Sequence, residues 1–216
     1  MDYYPGQTTK FNQVNGYYTQ PEYGSSPTGA KEASWVGLGG NYQGDALLQA
    51  GTTMESQSNY YAWYMIVFGT SSWEGEFPSV KVSPGDSMYA LVYWTISNYP
   101  AGFEVWDWTS MTNFYVTVQT AYYDGSSAEF IDERPTVNGS YTDLATYVNI
   151  QPPYGDNIPW TNCEVFETGN SQPINFDTLP NCYLETMYDS NNLTMSQPYT
   201  PDTGSNYFKD LFYRNT

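Results

Sequence analysis

The apolar residues of this chain recur in short runs with a period of two. Met88, Ala90, Val92, Trp94 and Ile96 fall on one side of an extended segment, and Tyr89, Leu91, Tyr93 and Thr95 on the other. A β-strand produces that alternation. Both sides are substantially apolar or aromatic, which predicts that one covers the core and the other lines a groove. Tyr60 to Phe68 (YYAWYMIVF) is apolar almost throughout and reads as a strand covered on both faces. Shorter strand-like segments stand at Phe11 to Tyr18, Ser34 to Leu38, Ala46 to Ala50, Ser127 to Asp132 and Thr142 to Ile150.

Turn chemistry separates these runs. Pro84-Gly85-Asp86 predicts a hairpin in which Ser79 to Asp86 leads into Met88 to Ile96. Phe103 to Trp108 and Asn113 to Ala121 pair in the same way around Thr109 to Thr112. No long helix and no internal repeat emerges. Many short strands with turns between them predict an all-β fold, a two-sheet antiparallel β-sandwich. Residues 1–10 read as a flexible N-terminal segment and 11–169 as the sandwich domain. After Ile150 the texture loosens, with a break at Gln151 to Gly155. Residues 170–216 read as a polar extension that packs back through Tyr207, Phe208, Leu211 and Phe212.

Composition narrows the function. Aromatics reach 19% while charged residues are only 13%, a balance that suits strands. The net charge of −17 comes from 23 acidic against 6 basic residues, with no histidine. Nucleic acid and anionic membrane surfaces are excluded as partners, because both require a basic face. With so few cations, the chain carries little net repulsion once its carboxylates are protonated, which suits an acidic, extracellular setting. Cys163 and Cys182 make a poor zinc site without histidine and read better as a disulfide. Closing that loop would contribute about 3 kcal/mol. Asn138 and Asn192 open N-x-S/T sequons. No apolar run is long enough for a membrane helix, and Met1 to Pro5 lacks the pattern of a signal peptide, so a secreted form would be a mature one.

The same composition removes several chemistries. Without histidine, Ser-His-Asp and Cys-His catalysis fall away, and no glycine-rich phosphate loop is present. No cofactor or metal is expected. Carboxylate and amide chemistry remains, and carboxylates serve as general bases most readily in acid. Asp202-Thr203-Gly204 is a single copy of a motif that aspartic peptidases need twice. Glu74, Glu76, Glu104 and Asp107 lie near aromatics, as a glycosidase would require. A glutamate–glutamine pair is the third option.

That third option gains content from an ordered set of motifs. Trp35-Val36-Gly37-Leu38-Gly39-Gly40, then Ala46-Leu47-Leu48-Gln49-Ala50-Gly51, then Tyr61-Ala62-Trp63-Tyr64 and Val82-Ser83-Pro84-Gly85-Asp86 precede Ser127-Ala128-Glu129-Phe130-Ile131 and Glu133-Arg134-Pro135. In this order they resemble the eqolisin, or glutamic peptidase, family over residues 11–150. The resemblance implies a lectin-like jelly-roll sandwich with its site on the concave face of one sheet. It implies an acid-acting endopeptidase, secreted and monomeric, whose partner is a polypeptide substrate. Glu129 would be the general base and Gln49 the donor to the oxyanion, with Trp35, Trp63, Gly37 and Tyr64 contacting substrate. The chain departs from the family pattern at Gly39 and Met65, where acidic residues are common. A non-catalytic, aromatic-rich sandwich that binds carbohydrate or peptide, or serves in a surface assembly, is the alternative reading.

Overall fold

The structure, a computed structural model, describes residues 10–40, 44–95, 100–120, 123, 125–137, 140–148, 157–175, 183–199 and 207–213. Strands and turns account for the described residues, with no helix among them. The strands are β1 (Phe11–Thr19), β2 (Glu22–Tyr23), β3 (Glu32–Gly39), β4 (Leu47–Ser56), β5 (Asn59–Phe68) and β6 (Ser71–Glu76). Next come β7 (Ser87–Trp94), β8 (Pro100–Asp107), β9 (Thr112–Gln119), β10 (Ala128–Glu133), β11 (Thr136–Val137) and β12 (Ser140–Tyr141). The last are β13 (Tyr147–Val148), β14 (Asn157–Glu167), β15 (Ile174–Asn175), β16 (Met187–Tyr188), β17 (Thr194–Tyr199) and β18 (Phe208–Phe212).

Two antiparallel sheets carry the molecule, as the alternation predicts. The larger runs β16-β17-β18-β14-β1-β7-β8-β9, with β15 on β14; the smaller runs β10-β3-β4-β5-β6. Every second residue of each strand points between the sheets. Val36, Leu38, Leu48, Ala50 and Ile66 come from the small sheet, and Val14, Met88, Ala90, Val92, Phe103 and Val105 from the large one. Trp160 is fully buried at the centre. It stacks on Phe208 at 5.7 Å and meets the edge of Phe130 at 5.9 Å. Gly16 leaves room for this pair, since a Cβ there would lie 3.1 Å from Phe130 and 3.3 Å from Trp160.

A polar group is sealed into the same interior. Glu32 is buried and accepts from Ser34 at 2.6 Å. Asp132 accepts from Trp160 Nε1 at 2.8 Å, and Asp210 accepts from the Ser196 hydroxyl. Burial raises all three carboxyls, with mutual repulsion adding to it for Glu32 and Asp132: Glu32 to about 8, Asp210 to about 7, Asp132 well above its ordinary value. Among the described residues Glu32 Oε2 and Asp132 Oδ1 find no hydrogen-bond partner, which fits carboxyls that stay protonated.

Three expectations change. Ser79 to Val82 form no hairpin arm; Val80 and Val82 are buried in a turn segment that leads to Gly85 at φ 84. The 11-residue β14, unmarked in the sequence pattern, lies between β1 and β18 in the large sheet. The C-terminal extension is no loose cover, because β17 and β18 continue that sheet and bury Met195 and Phe208. Residues 1–9, Ile96, Ala121, Asn138 and Asn149 to Asp156 fall outside the described residues. Cys163 is a buried free thiol on β14; its expected partner Cys182 also falls outside the described residues.

Candidate active site

The strand register of the small sheet assembles the site. Glu129 on β10 stands opposite Gly37 on β3, and Gly37 stands opposite Gln49 on β4. The same cross-strand row continues through Met65 on β5 to Glu74 on β6. All five positions lie on the outer face, away from the core. Glu129 and Gln49 are two strand spacings apart, about 10 Å between backbones, with only a glycine between them. Their side chains therefore lie on the same face of the sheet, with the Trp35 ring packed over the glycine between them.

The adjoining row holds Ile131, Trp35, Gly51, Trp63 and Glu76. Here too a glycine separates the large side chains, and it is required. A Cβ on Gly51 would come 2.6 Å from Trp35 Cβ, and one on Gly37 would come 2.6 Å from Trp35 Cζ3. Trp35 thus lies over Gly37 and walls the floor between the pair. The two indoles are held by their donors: Trp35 Nε1 donates to Glu133 Oε1 at 3.0 Å and Trp63 Nε1 to Thr53 Oγ1 at 2.8 Å. With Ala33 they make a small apolar cluster separate from the main core.

An open groove of about 630 Å³ runs over this face, lined among others by Gln49, Trp63, Met65, Tyr61, Glu74 and Glu133. Its charge is acidic. Lys31 is paired with Glu55. Glu74 is raised by burial and then by Glu76 and Glu55, while Glu133 is raised by burial against the lowering effect of the Trp35 N–H. Glu129 and Gln49 are themselves buried at 8% and 6% exposure, so little bulk water competes for them. Ser127 Oγ sits 3.1 Å from Glu129 Oε1 and 2.7 Å from the Gly39 carbonyl, fixing the carboxylate. Among the described residues no three metal-ligating side chains converge.

Of the expected site residues, Glu129, Gln49, Gly37, Trp35 and Trp63 share this face. Tyr64 does not. The alternation of β5 turns it inward, where it stacks on Phe77 at 5.4 Å and packs against Phe103 at 5.1 Å. One neighbour goes unmarked in the sequence. Asp45 accepts from the Gly40 amide at 3.0 Å, and its Oδ2 lies 3.0 Å from where a Cβ on Gly39 would stand. Gly39 itself has φ +85 and no space, since that Cβ would be 2.2 Å from the Ala46 carbonyl. At the other departure, Glu74 faces Met65 across the sheet. Carboxylates therefore flank both positions from adjacent chain, which single-residue motifs do not reveal.

The two-sheet sandwich is shared with a group of solved structures. Scytalido-glutamic peptidase, crystallised with a transition state analog inhibitor, matches with a TM-score of 0.76 and 19% identity, over 94% of this chain and 93% of that one. SCP-B, an eqolisin in complex with the tripeptide Ala-Ile-His, matches with a TM-score of 0.72 and 19% identity over the same shares. Aspergilloglutamic peptidase from Aspergillus niger matches with a TM-score of 0.66 and 18% identity, over 85% of this chain and 99% of that one. Comparison with curated proteins returns no match. The model of the Peptidase A4 family matches residues 4–193. The chain belongs to that family, the eqolisins, and is a glutamic peptidase in class.

Proposed function

We propose that the protein is an acid-acting, secreted endopeptidase in which Glu129 and Gln49 act as a dyad on a shared water. The observation that carries this is the row Glu129–Gly37–Gln49. The Glu129 carboxylate takes a proton from the water as its oxygen attacks the peptide carbonyl carbon. Gln49 Nε2–H donates to the resulting oxyanion, a role suited to an uncharged donor in a site poor in bulk water. On collapse of the tetrahedral intermediate the C–N bond breaks, and Glu129 returns its proton to the leaving amine. The products are a carboxylic acid and an amine, and the carboxylate is regenerated.

The peptide-like ligands named for the related structures support a polypeptide in the groove. Interior carboxyls that favour their protonated forms support work in acid. The test is hydrolysis of denatured protein from about pH 2 to 7, comparing wild type with Glu129→Gln and Gln49→Ala. Acid-optimal cleavage lost in both variants is expected. Unchanged turnover in either one overturns the dyad.

A further inference from the structure

The aromatic side of β7, expected to line a groove, lies on the outer face of the large sheet instead. There it belongs to a second surface that peptide hydrolysis does not use. Register puts Tyr17, Tyr89 and Trp106 in one row across β1, β7 and β8, with Asn113 of β9 at its end. The next rows hold Asn15, Leu91, Glu104 and Tyr115, then Gln13, Tyr93, Gly102 and Thr117. Rings alternate with amides and one carboxylate over three strand spacings, about 14 Å.

The rings are fixed. Trp106 and Trp108 stack at 4.4 Å with planes 3° apart, and Tyr17 meets Tyr89 at 4.8 Å. Asp107 ties down the turn that carries Trp108, accepting from the Thr109 amide at 2.8 Å and the Ser110 amide at 3.2 Å. Tyr93 and Tyr115 have nearly parallel rings, 12° apart, and share a hydroxyl–hydroxyl hydrogen bond. Tyr93 lies flat on the sheet because residue 102 is glycine: a Cβ there would come 2.1 Å from its ring. Tyr115 and Trp108 are 48% and 39% exposed. Between the rings, Asn113 donates to Glu104 at 3.3 Å, and Asn15 bridges from Gln13 to Glu164. The Tyr89 and Tyr93 phenols are raised by burial, so they remain neutral hydroxyls.

We infer that this outer face of the large sheet is a binding platform for an uncharged polysaccharide of flat, linked pyranose rings. Flat phenol and indole faces stack on the C–H faces of sugars, and the interleaved amides and carboxylate match sugar hydroxyls. Charge removes two competing kinds of occupant. None of the described outward residues on β1, β7, β8 and β9 is a cation, which excludes polyanions and anionic membranes. A second copy meeting the same patch would set Glu104 and Glu164 against their own images. A neutral glycan meets neither obstacle. The platform would hold the peptidase on a solid neutral glycan while the groove, on the other sheet, stays free.

The experiment is depletion of the full-length protein from solution by microcrystalline cellulose and by chitin at about pH 4. Retention on at least one is expected, little changed by salt. Tyr115→Ala and Trp108→Ala should each lower the partition constant by about ten-fold, with near-UV dichroism and cleavage of soluble protein unchanged. Glu129→Gln should bind as wild type does. Gly102→Ala, which lifts Tyr93, gives a second weakened variant at a different backbone site. The inference is overturned if wild type stays in solution with both glycans, if the platform variants bind undiminished, or if Glu129→Gln abolishes retention. It is equally overturned if sedimentation shows a dimer that Tyr115→Ala dissociates.

Discussion

Strand β10 places carboxyls at 129, 132 and 133, and one residue of alternation separates two kinds of chemistry. Glu129 and Glu133 face outward beside the groove, whereas Asp132 points between the sheets with Glu32 and Asp210. The inner three sit where ionisation costs most, so they serve as neutral hydrogen-bonding groups of the core. The outer glutamate at 129 shares its cross-strand row with Gln49, one glycine away. The same residue type is thus structural or reactive according to the side of one sheet.

Exchanging the two sides gives the largest expected difference. Glu129→Gln should lower kcat by about a thousand-fold or more, since it removes the general base of the proposed dyad, while the melting temperature stays within a few degrees. Asp132→Asn should do the reverse. Its acid cleavage rate should stay near wild type, and its melting temperature at neutral pH should rise. Paired kinetics and melting curves check this; a collapse of acid activity in Asp132→Asn breaks the division of labour.

The interior carboxyls also set the direction of pH dependence. The folded chain holds protons on Glu32 up to about 8 and on Asp210 up to about 7, against ordinary values of 4.5 and 3.8. Between those limits the unfolded chain has already released them. Their stabilisation is whole below about pH 4 and is lost progressively as pH rises to about 8, on the order of several kcal/mol in all. Denaturant unfolding measured between about pH 3 and 8 should show stability falling with pH. A flat or rising curve contradicts the sealed cluster.

Alternation also accounts for what the sequence disclosed. Strands such as β8, β9 and β10 carry a clean period of two, so their positions and their faces can be read directly. The eqolisin-like motifs single out Glu129, Gln49 and Gly37, which the strand register sets in one row. β14 was hidden because Pro159 and the positive φ of Asn162 interrupt its pattern, near the register shift where β1 slips against it. Tyr64 was misassigned because aromatics occupy both faces of β5, so residue type could not give direction. Asp45 escaped because its relation to Gly39 is a contact in space, not a motif spacing.

The direction of neighbouring aromatics yields a graded pair. Tyr64→Ala should cost about 3 kcal/mol by opening a hole against Phe77 and Phe103, with KM unchanged in the surviving folded fraction. Trp63→Ala should cost less stability and raise KM several-fold, because its indole lines the groove. Denaturant melts and steady-state kinetics on the two variants separate the faces; equal KM effects would erase the distinction.

The smallest change probes the glycine that lets the pair meet. Gly37→Ala adds one methyl 2.6 Å from Trp35 Cζ3 and 3.3 Å from Leu47 Cδ1. The indole must move, and it carries its hydrogen bond to Glu133 with it. Overpacking of this kind costs about 1–2 kcal/mol. The methyl also stands in the stretch where a water shared by Glu129 and Gln49 would sit, so kcat should fall by about ten-fold beyond any loss of folded protein. Trp35→Phe in the same chain removes part of the clash. If the double variant regains stability but not kcat, the glycine matters for the open floor between the two side chains. If both return together, Gly37 serves only the packing of Trp35.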